Sequence, residues 1–385
     1  MGARLCARKC MIALLALRNL IHDRVSLAVT LTGIIFSVIL VAIQLGLYIG
    51  SHRIITGIID HSGGQIWVVP PGAESVDDTS ELPGGERHVV LSTPGVKSAV
   101  EMVTGFAEWQ RPDGSTTATV LVGGNIEDGS IRPWNMIAGR PEALSAPNAV
   151  IIDRSYFKDL GVEGVGSHGQ IGEMKTTVVG VTKGIRSFTT LPYIFTTLDR
   201  GRTYLGLAKD QSTFILADVL PGTDVVAVRD AIRARLHGVE VLTRQEFLDR
   251  SIHHWLFNTG AGAALIAGAV LGIIVGMVIV AQTLYASTKD HLNEFATLRA
   301  LGAGAHYIHK VILCQALISA VIGYAVGMGI ALFIVRSADG SALPLTMTKE
   351  LAAALFALTV VMCAISAMAA IVKVTRIDPA MVFAR

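Results

Sequence analysis

The sequence predicts an α-helical membrane protein with four transmembrane helices and an α+β extracytoplasmic domain. Two observations indicate this fold class. The 385 residues are 51% hydrophobic and only 16% charged, whereas soluble domains usually carry about 25% charged residues. The apolar residues are gathered into four long runs without charge, and a polar stretch, 51–250, separates the first run from the other three.

Each uncharged run is long enough to cross a bilayer as a helix. The runs contain 22 to 34 residues without Asp, Glu, Lys or Arg, and they are 26–50, 255–288, 311–335 and 351–372. A bilayer core requires about 20 apolar residues in a helix. We therefore predict transmembrane helices over 26–50, 251–288 (with an extracytoplasmic extension at its start), 311–335 and 351–372.

The basic residues near the ends of the runs predict the orientation. Lys and Arg close to helix ends favour the cytoplasmic side of a membrane. Eleven of them flank the runs on one side, in 1–25, 289–310 and 373–385, whereas the short loop 336–350 on the other side has only two. Both termini and the loop 289–310 are therefore predicted to be cytoplasmic. Within 1–25, basic and apolar residues alternate as in an amphipathic helix that lies on membrane lipid.

The polar stretch 51–250 predicts an α+β domain. The segments "FAEWQ" and "TTATVLV" alternate in polarity and flank the turn signal "RPDGS", a pattern typical of a β-hairpin. The segments "NAVIID" and "KTTVVGV" are further strands, and "RSYFKDLG" is a short helix ended by Gly161. A strand over 213–220, a helix capped by Thr223 or Asp224 and ended by Gly238, and the strand "VEVL" form a ferredoxin-like strand–helix–strand unit.

No catalytic residue or metal site is predicted in this domain. It has no G-x-S-x-G or H-E-x-x-H motif and no cysteine. The pair His253–His254 beside Trp255 is interpreted as a membrane-interface feature rather than as metal ligands, and the pair Asp77–Asp78 as solvent-exposed.

The chain has no Walker A motif, so we expect no enzymatic activity and no bound cofactor. A net charge of only +2 predicts no nucleic-acid partner.

Rows of small residues recur in two of the runs. They are Gly268, Gly272 and Gly276 in the second run, and Ser319, Gly323 and Gly327 in the third. Small residues at four-residue spacing let helix backbones approach closely. The rows pack either within one helical bundle or between two copies of the chain, and the spacing alone leaves both interpretations open.

The loop between the second and third runs combines charge with apolar periodicity. The stretch 288–303 predicts a helix of about four turns, in which Phe295 and Leu298 are three residues apart and Asp290 and Glu294 share a face. One interpretation is a solvated turn between two spans. The other is a docking surface, since the apolar pair requires a covering partner and the paired acids favour a cationic one.

This loop carries a resemblance to a known family. The segment "KDHLNEFATLRALGAG" resembles the coupling segment of the MacB/FtsX-type permease superfamily of ABC transporters. The order of one span, a large extracytoplasmic domain and three further spans is similar to that family, as is "GRPEALSAPNAVIIDRSYFKDLGV" to its periplasmic core. The segments "TGIIFSVILVAIQLGL" and "TRIDPAMVF" are similar to its DevC branch.

The resemblance implies a function for the whole chain. It implies the permease half of a type VII ABC transporter in a bacterial inner membrane, in which two copies pair with two copies of a separate cytoplasmic ATPase that binds ATP and Mg. The permease would transmit ATP-driven movement to its outside domain and work with a membrane-fusion adaptor and an outer-membrane exit duct. The alternative is an FtsX-like signalling regulator of an envelope hydrolase. The residues implied to contact the ATPase are Asp290, His291, Glu294, Phe295, Leu298, Arg299 and Gly302.

Overall fold

The computed structural model describes residues 16–18, 20–290, 305–338 and 344–375. These residues fall into two compact units. The helical unit takes its residues from 1–49, 263–339 and 345–385, and the α+β unit consists of 50–262 with Pro344. The predicted amphipathic helix 1–25 lies mostly outside the described residues.

Within the described residues, four helices are long and apolar enough to cross a membrane, as the uncharged runs predict. They are span 1 (Arg24–His61), span 2 (Ala261–Asp290), span 3 (Ala305–Ser337) and span 4 (Lys349–Thr375). Each helix extends beyond the uncharged run at one end or both. The predicted fold class is therefore confirmed.

The start of span 2 differs from the expectation. The sequence predicts one helix over 251–288 with an extracytoplasmic extension at its start. In the structure the helix Arg244–His253 passes into one π-helical turn, His254–Asn258, and the helix ends before Gly260. Gly260 has φ 76°, a left-handed conformation that favours glycine. Span 2 therefore begins only at Ala261. The sequence does not predict this break, because the uncharged run continues without interruption from 255.

The α+β unit is built on ten connected strands. They are β1 (Ile66–Val69), β2 (Val96–Gln110), β3 (Thr116–Gly123), β4 (Met136–Gly139), β5 (Ala149–Asp153), β6 (His168–Ile171), β7 (Met174–Thr182), β8 (Tyr193–Thr196), β9 (Phe214–Val219) and β10 (Glu240–Thr243). The sheet order is β10-β1-β9-β2-β3-β8-β5-β7-β4, and β6 pairs with β2 and β7. The helices are α1 (Glu86–Leu91), α2 (Phe157–Leu160), α3 (Leu198–Leu205), α4 (Val225–Arg233) and α5 (Arg244–His253).

One end of this sheet is a complete ferredoxin-like lobe. Strand β1 lies between β9 and β10, and β9 lies between β1 and β2, with every neighbouring pair antiparallel. The units β1–α1–β2 and β9–α4–β10 are therefore two split strand–helix–strand motifs. Val90 of α1 and Val228 and Ile232 of α4 are buried in the core on the helical side of the sheet. The predicted unit is confirmed, and it is half of a larger motif.

The remaining strands form a second lobe that is inserted between β2 and β9. The predicted hairpin opens it, because Gln110 of β2 pairs with Thr116 of β3. Strand β3 runs parallel to β8, and β5 runs parallel to β7. Trp109 and Tyr156 are among the largest buried side chains of its core. The long strand β2 belongs to both lobes and holds them in one sheet.

Candidate functional site

Of the residues implied to contact the ATPase, the structure describes only Asp290. Asp290 is the last residue of span 2, and its side chain is exposed. The other predicted contact residues, His291, Glu294, Phe295, Leu298, Arg299 and Gly302, lie outside the described residues. Their contact with an ATPase stays a prediction.

The glycine row of span 2 lies against span 1 of the same chain. A Cβ added to any of these glycines would approach a side chain of span 1 more closely than ordinary van der Waals contact allows. The approach distances are 2.6 Å from Gly268 to Gln44, 3.0 Å from Gly272 to Leu40 and 2.6 Å from Gly276 to Ser37. The row thus serves close packing within the subunit at these points.

The row of span 3 also faces span 1. A Cβ on Gly323 would lie 2.5 Å from Ile34, and one on Gly327 would lie 3.0 Å from Val38. Ile34 is fully buried and Val38 is nearly so. Span 1 is therefore packed against both glycine-bearing helices. Contact between two copies of the chain stays a separate prediction, for the other faces of these helices.

Hydrogen bonds also join the spans. The hydroxyl of Ser37 in span 1 donates to the carbonyl oxygen of Gly272 in span 2 at 2.8 Å. The hydroxyl of Ser366 in span 4 shares its proton between the carbonyl oxygen of Met362 in the same helix, at 2.9 Å, and that of Met277 in span 2, at 3.0 Å. The spans present large apolar side chains on their outward faces, including Phe36, Leu271, Phe333 and Val361. Such faces suit lipid or another apolar helix.

The α+β unit contains a hydrogen-bonded pair of a half-buried carboxyl group and a buried hydroxyl that the sequence does not predict. Asp77, interpreted above as solvent-exposed, is half-buried and accepts a hydrogen bond of 2.7 Å from the Tyr193 hydroxyl. That interpretation was wrong, because the loop folds back over β8. Burial raises the pKa of Asp77 above its usual value, although hydrogen bonds from Tyr193 and Ser187 oppose the shift. Burial, followed by the charge of Asp77, raises the pKa of Tyr193 well above 10.

An ion pair joins α4 to α5 in the ferredoxin-like lobe. Arg229 of α4 contacts the carboxylate of Glu246 in α5, and Glu246 also completes a capping box with Thr243. Partial burial raises the pKa of Glu246, but the hydrogen bonds from Thr243 and Arg229 lower it overall. These groups are bonded to one another and hold α5 in place, so the network has a structural role.

An acidic cleft lies near the end of β3. It has a volume of about 380 Å³, and its lining includes Asn125, Glu127, Asp128, Glu142 and Thr197. Among the described residues three carboxylates and no lysine or arginine line the cleft, although the Arg200 guanidinium donates to the carbonyl oxygen of the lining residue Leu144 at 2.7 Å. The acidic turn "NIEDGS" is its only signal in the sequence. Among the described residues, no group of three or more His, Cys, Asp or Glu side chains could hold a metal ion.

Two protein-family models match the chain, one in each half. Residues 27–235 match the MacB-like periplasmic core domain, and residues 266–379 match the FtsX-like permease C-terminal domain. The chain therefore belongs to the MacB/FtsX superfamily of ABC transporter permeases. The resemblance predicted from the coupling loop is confirmed at this level, while the DevC branch stays a prediction. As a member with four apolar helices, the protein is a multi-pass membrane protein.

Individual relatives agree with this family. An ABC transporter permease of Mycobacterium bovis is 25% identical over 371 residues, which cover 94% of this chain and 95% of the relative. The macrolide export ATP-binding/permease protein MacB of Agrobacterium fabrum is 27% identical over 323 residues, 79% of this chain and 49% of that protein. The extracellular domain of the transporter YknZ from Gram-positive bacteria matches 47% of this chain and 99% of its own length, with 14% identity and a TM-score of 0.35. At so low a TM-score, family membership rests on the sequence matches alone.

Proposed function

We propose that this chain is the permease subunit of an ABC exporter that transmits movement from a cytoplasmic ATPase to its α+β unit. The observation that carries the proposal is the family match over both halves of the chain. Span 1 contains residues of both units, so one helix is common to the part in the membrane and the part outside it. The uncharged runs contain no Asp, Glu, Lys or Arg, and ion-coupled transporters usually have such groups in the membrane. This composition supports an energy source in a partner subunit.

The proposed assembly has two copies of this chain and two copies of the ATPase. The ATPase holds ATP and Mg and contacts the segment that begins at Asp290. The distribution of Lys and Arg supports an orientation with both termini in the cytoplasm, and the family match supports a bacterial inner membrane. In that orientation the α+β unit lies in the periplasm, where a membrane-fusion adaptor and an outer-membrane exit duct receive the substrate for efflux.

Purification from the native membrane in mild detergent tests this proposal. We expect an ABC ATPase and a membrane-fusion adaptor to co-purify with the chain in stoichiometric amounts. ATP hydrolysis is expected only in the complex and not in the chain alone. Co-purification of an envelope hydrolase in place of the adaptor would replace export by the FtsX-like signalling function. Hydrolysis by the isolated chain would contradict the proposal.

A further inference from the structure

A small polar cavity, buried at Thr30, Gln315 and Ser319 and partly exposed at Asp23 and Ser26, lies among spans 1, 2 and 3 of the helical unit. Its lining includes Thr30 of span 1, Ser287 of span 2, and Gln315 and Ser319 of span 3. The space that the centre of a water molecule can occupy is about 10 Å³, and one buried water requires roughly 10–15 Å³. The cavity is therefore of the size of a single water molecule.

Ser319 has an unmet hydrogen bond at this cavity. Its side chain is fully buried, and its hydroxyl has no hydrogen-bond partner among the described residues. A hydroxyl in a membrane helix usually bonds to the carbonyl oxygen four residues earlier, as those of Thr288 and Thr359 do at 2.6 and 2.7 Å. An unpaired buried hydroxyl is costly, so the cavity requires an occupant that can bond to Ser319.

Polar groups of the neighbouring helices complete the lining. Thr30 is 4% exposed, and its hydroxyl lies 2.8 Å from that of Thr283 in span 2. Gln315 is also 4% exposed and lies one turn from Ser319. A buried water typically makes two to four hydrogen bonds to such groups. Among the described lining residues Asp23 is the one carboxylate, and it already accepts a hydrogen bond of 3.1 Å from the Ser26 amide.

We propose that one ordered water molecule occupies this cavity and bridges Ser319 of span 3 to polar groups of spans 1 and 2. A neutral molecule of this size satisfies the hydroxyl and requires no counter-charge. Ser287 lies less than one turn before Asp290, so the water would bind beside the end of span 2 that leads into the predicted coupling segment. Ser319 thus has a binding role that differs from the packing role of Gly323 and Gly327.

The direction of the stability change in Ser319→Ala is the first test. If water is bound, the substitution removes a satisfied hydrogen bond and lowers the melting temperature of the full chain in detergent. The matched control is Ser366→Ala. The Ser366 hydroxyl is satisfied by the carbonyl oxygens of Met277 and Met362, so its loss should change stability in the same direction. A higher melting temperature for Ser319→Ala would mean that an unpaired hydroxyl had been removed from a dry cavity, which would overturn the proposal.

Radiolytic footprinting tests for the water itself. A brief X-ray exposure of the protein in nanodiscs generates hydroxyl radicals from bound water, and these modify the side chains beside it. We expect modification of Leu284, which lines the cavity and is 4% exposed. Leu355, which is 2% exposed and does not line the cavity, is the control and should be modified several-fold less. Equal yields at the two leucines would refute a bound water, whatever Ser319→Ala does to the melting temperature.

Discussion

Ser37 and Gly272 join span 1 to span 2 by a hydrogen bond of 2.8 Å between the serine hydroxyl and the glycine carbonyl oxygen. One turn along span 2, Gly276 lies so close to Ser37 that an added Cβ would be 2.6 Å from the serine Cβ. Hydrogen bonds between membrane helices contribute about 0.6–2 kcal/mol each, and the close approach adds dispersion contacts. Span 1 therefore packs closely against span 2 at this point, because the residues in contact are a serine and two glycines.

Gly276→Ala should destabilise the helical unit. The new methyl group would overlap Ser37, and overpacking of this kind costs about 1–3 kcal/mol. Gly329→Ala in span 3 is the matched control, because a Cβ there meets no atom within 4 Å. Alanine is the better helix former, so the control should equal or exceed the parent protein in melting temperature. Equal melting temperatures for the two variants, measured in detergent, would show that the helices separate easily at Gly276.

Asp77→Asn should stabilise the protein at neutral pH more than at acid pH. Because burial raises the pKa of Asp77 in the folded state, the folded protein binds this proton more tightly than the unfolded chain does. The contribution of Asp77 to the free energy of unfolding is therefore full below the unfolded pKa of about 4 and decreases as the pH rises through the folded pKa. Asparagine cannot ionise, and its amide oxygen can still accept the hydrogen bond from Tyr193.

Thermal unfolding of the full chain at pH 4 and pH 7 measures this effect. The increase in melting temperature for Asp77→Asn should be larger at pH 7 than at pH 4. Glu163→Gln, at an exposed position, should change the melting temperature little at either pH. An Asp77→Asn effect of the same size at both pH values would show that the carboxyl group is not perturbed by burial.

Single cysteines in a chain without its four native cysteines test the orientation. Pro112→Cys, at the exposed turn between β2 and β3, and Asp339→Cys should react with a membrane-impermeant thiol reagent in intact spheroplasts. Asn293→Cys should react only after the membrane is permeabilised. Labelling of Asn293→Cys in intact spheroplasts would reverse the topology inferred from the positive charges.

Local sequence patterns predict much of this fold, because charge and polarity periodicity report directly on burial. The four spans follow from uncharged runs, and the hairpin at Gln110 and Thr116 follows from alternation around a turn signal. The cap at Asp224 is also present, since its side chain accepts a hydrogen bond from the amide of Val226 at 3.0 Å. The helix that Asp224 caps ends at Arg233, short of the predicted stop at Gly238.

The features that the sequence does not predict depend on distant parts of the chain. Strand β1 pairs with β9 and β10, which lie far along the sequence, so no local pattern reveals the second split motif or the inserted lobe. The burial of Asp77 depends on its contact with Tyr193. Ser319 fits a row of small residues by spacing, and only the positions of spans 1 and 2 reveal the polar cavity beside it.

We propose that the segment from Asp290 to Gly302 couples this permease to an ATPase. Glu294→Lys should place like charges across the contact, and Phe295→Ala should remove an apolar anchor. The loss of about 1–3 kcal/mol would weaken binding roughly 5- to 150-fold. Glu173→Lys, the same charge reversal at an exposed site in the α+β unit, is the control. All three variants should insert normally.

The decisive measurement is the ATP hydrolysis rate of the ATPase reconstituted in nanodiscs with each variant, together with the amount of ATPase that co-purifies. Glu294→Lys and Phe295→Ala should lose both the stimulation and the co-purification, whereas Glu173→Lys should keep both. Normal stimulation and normal co-purification of the ATPase with both variants would contradict the proposed coupling role and would show that this segment only connects two spans.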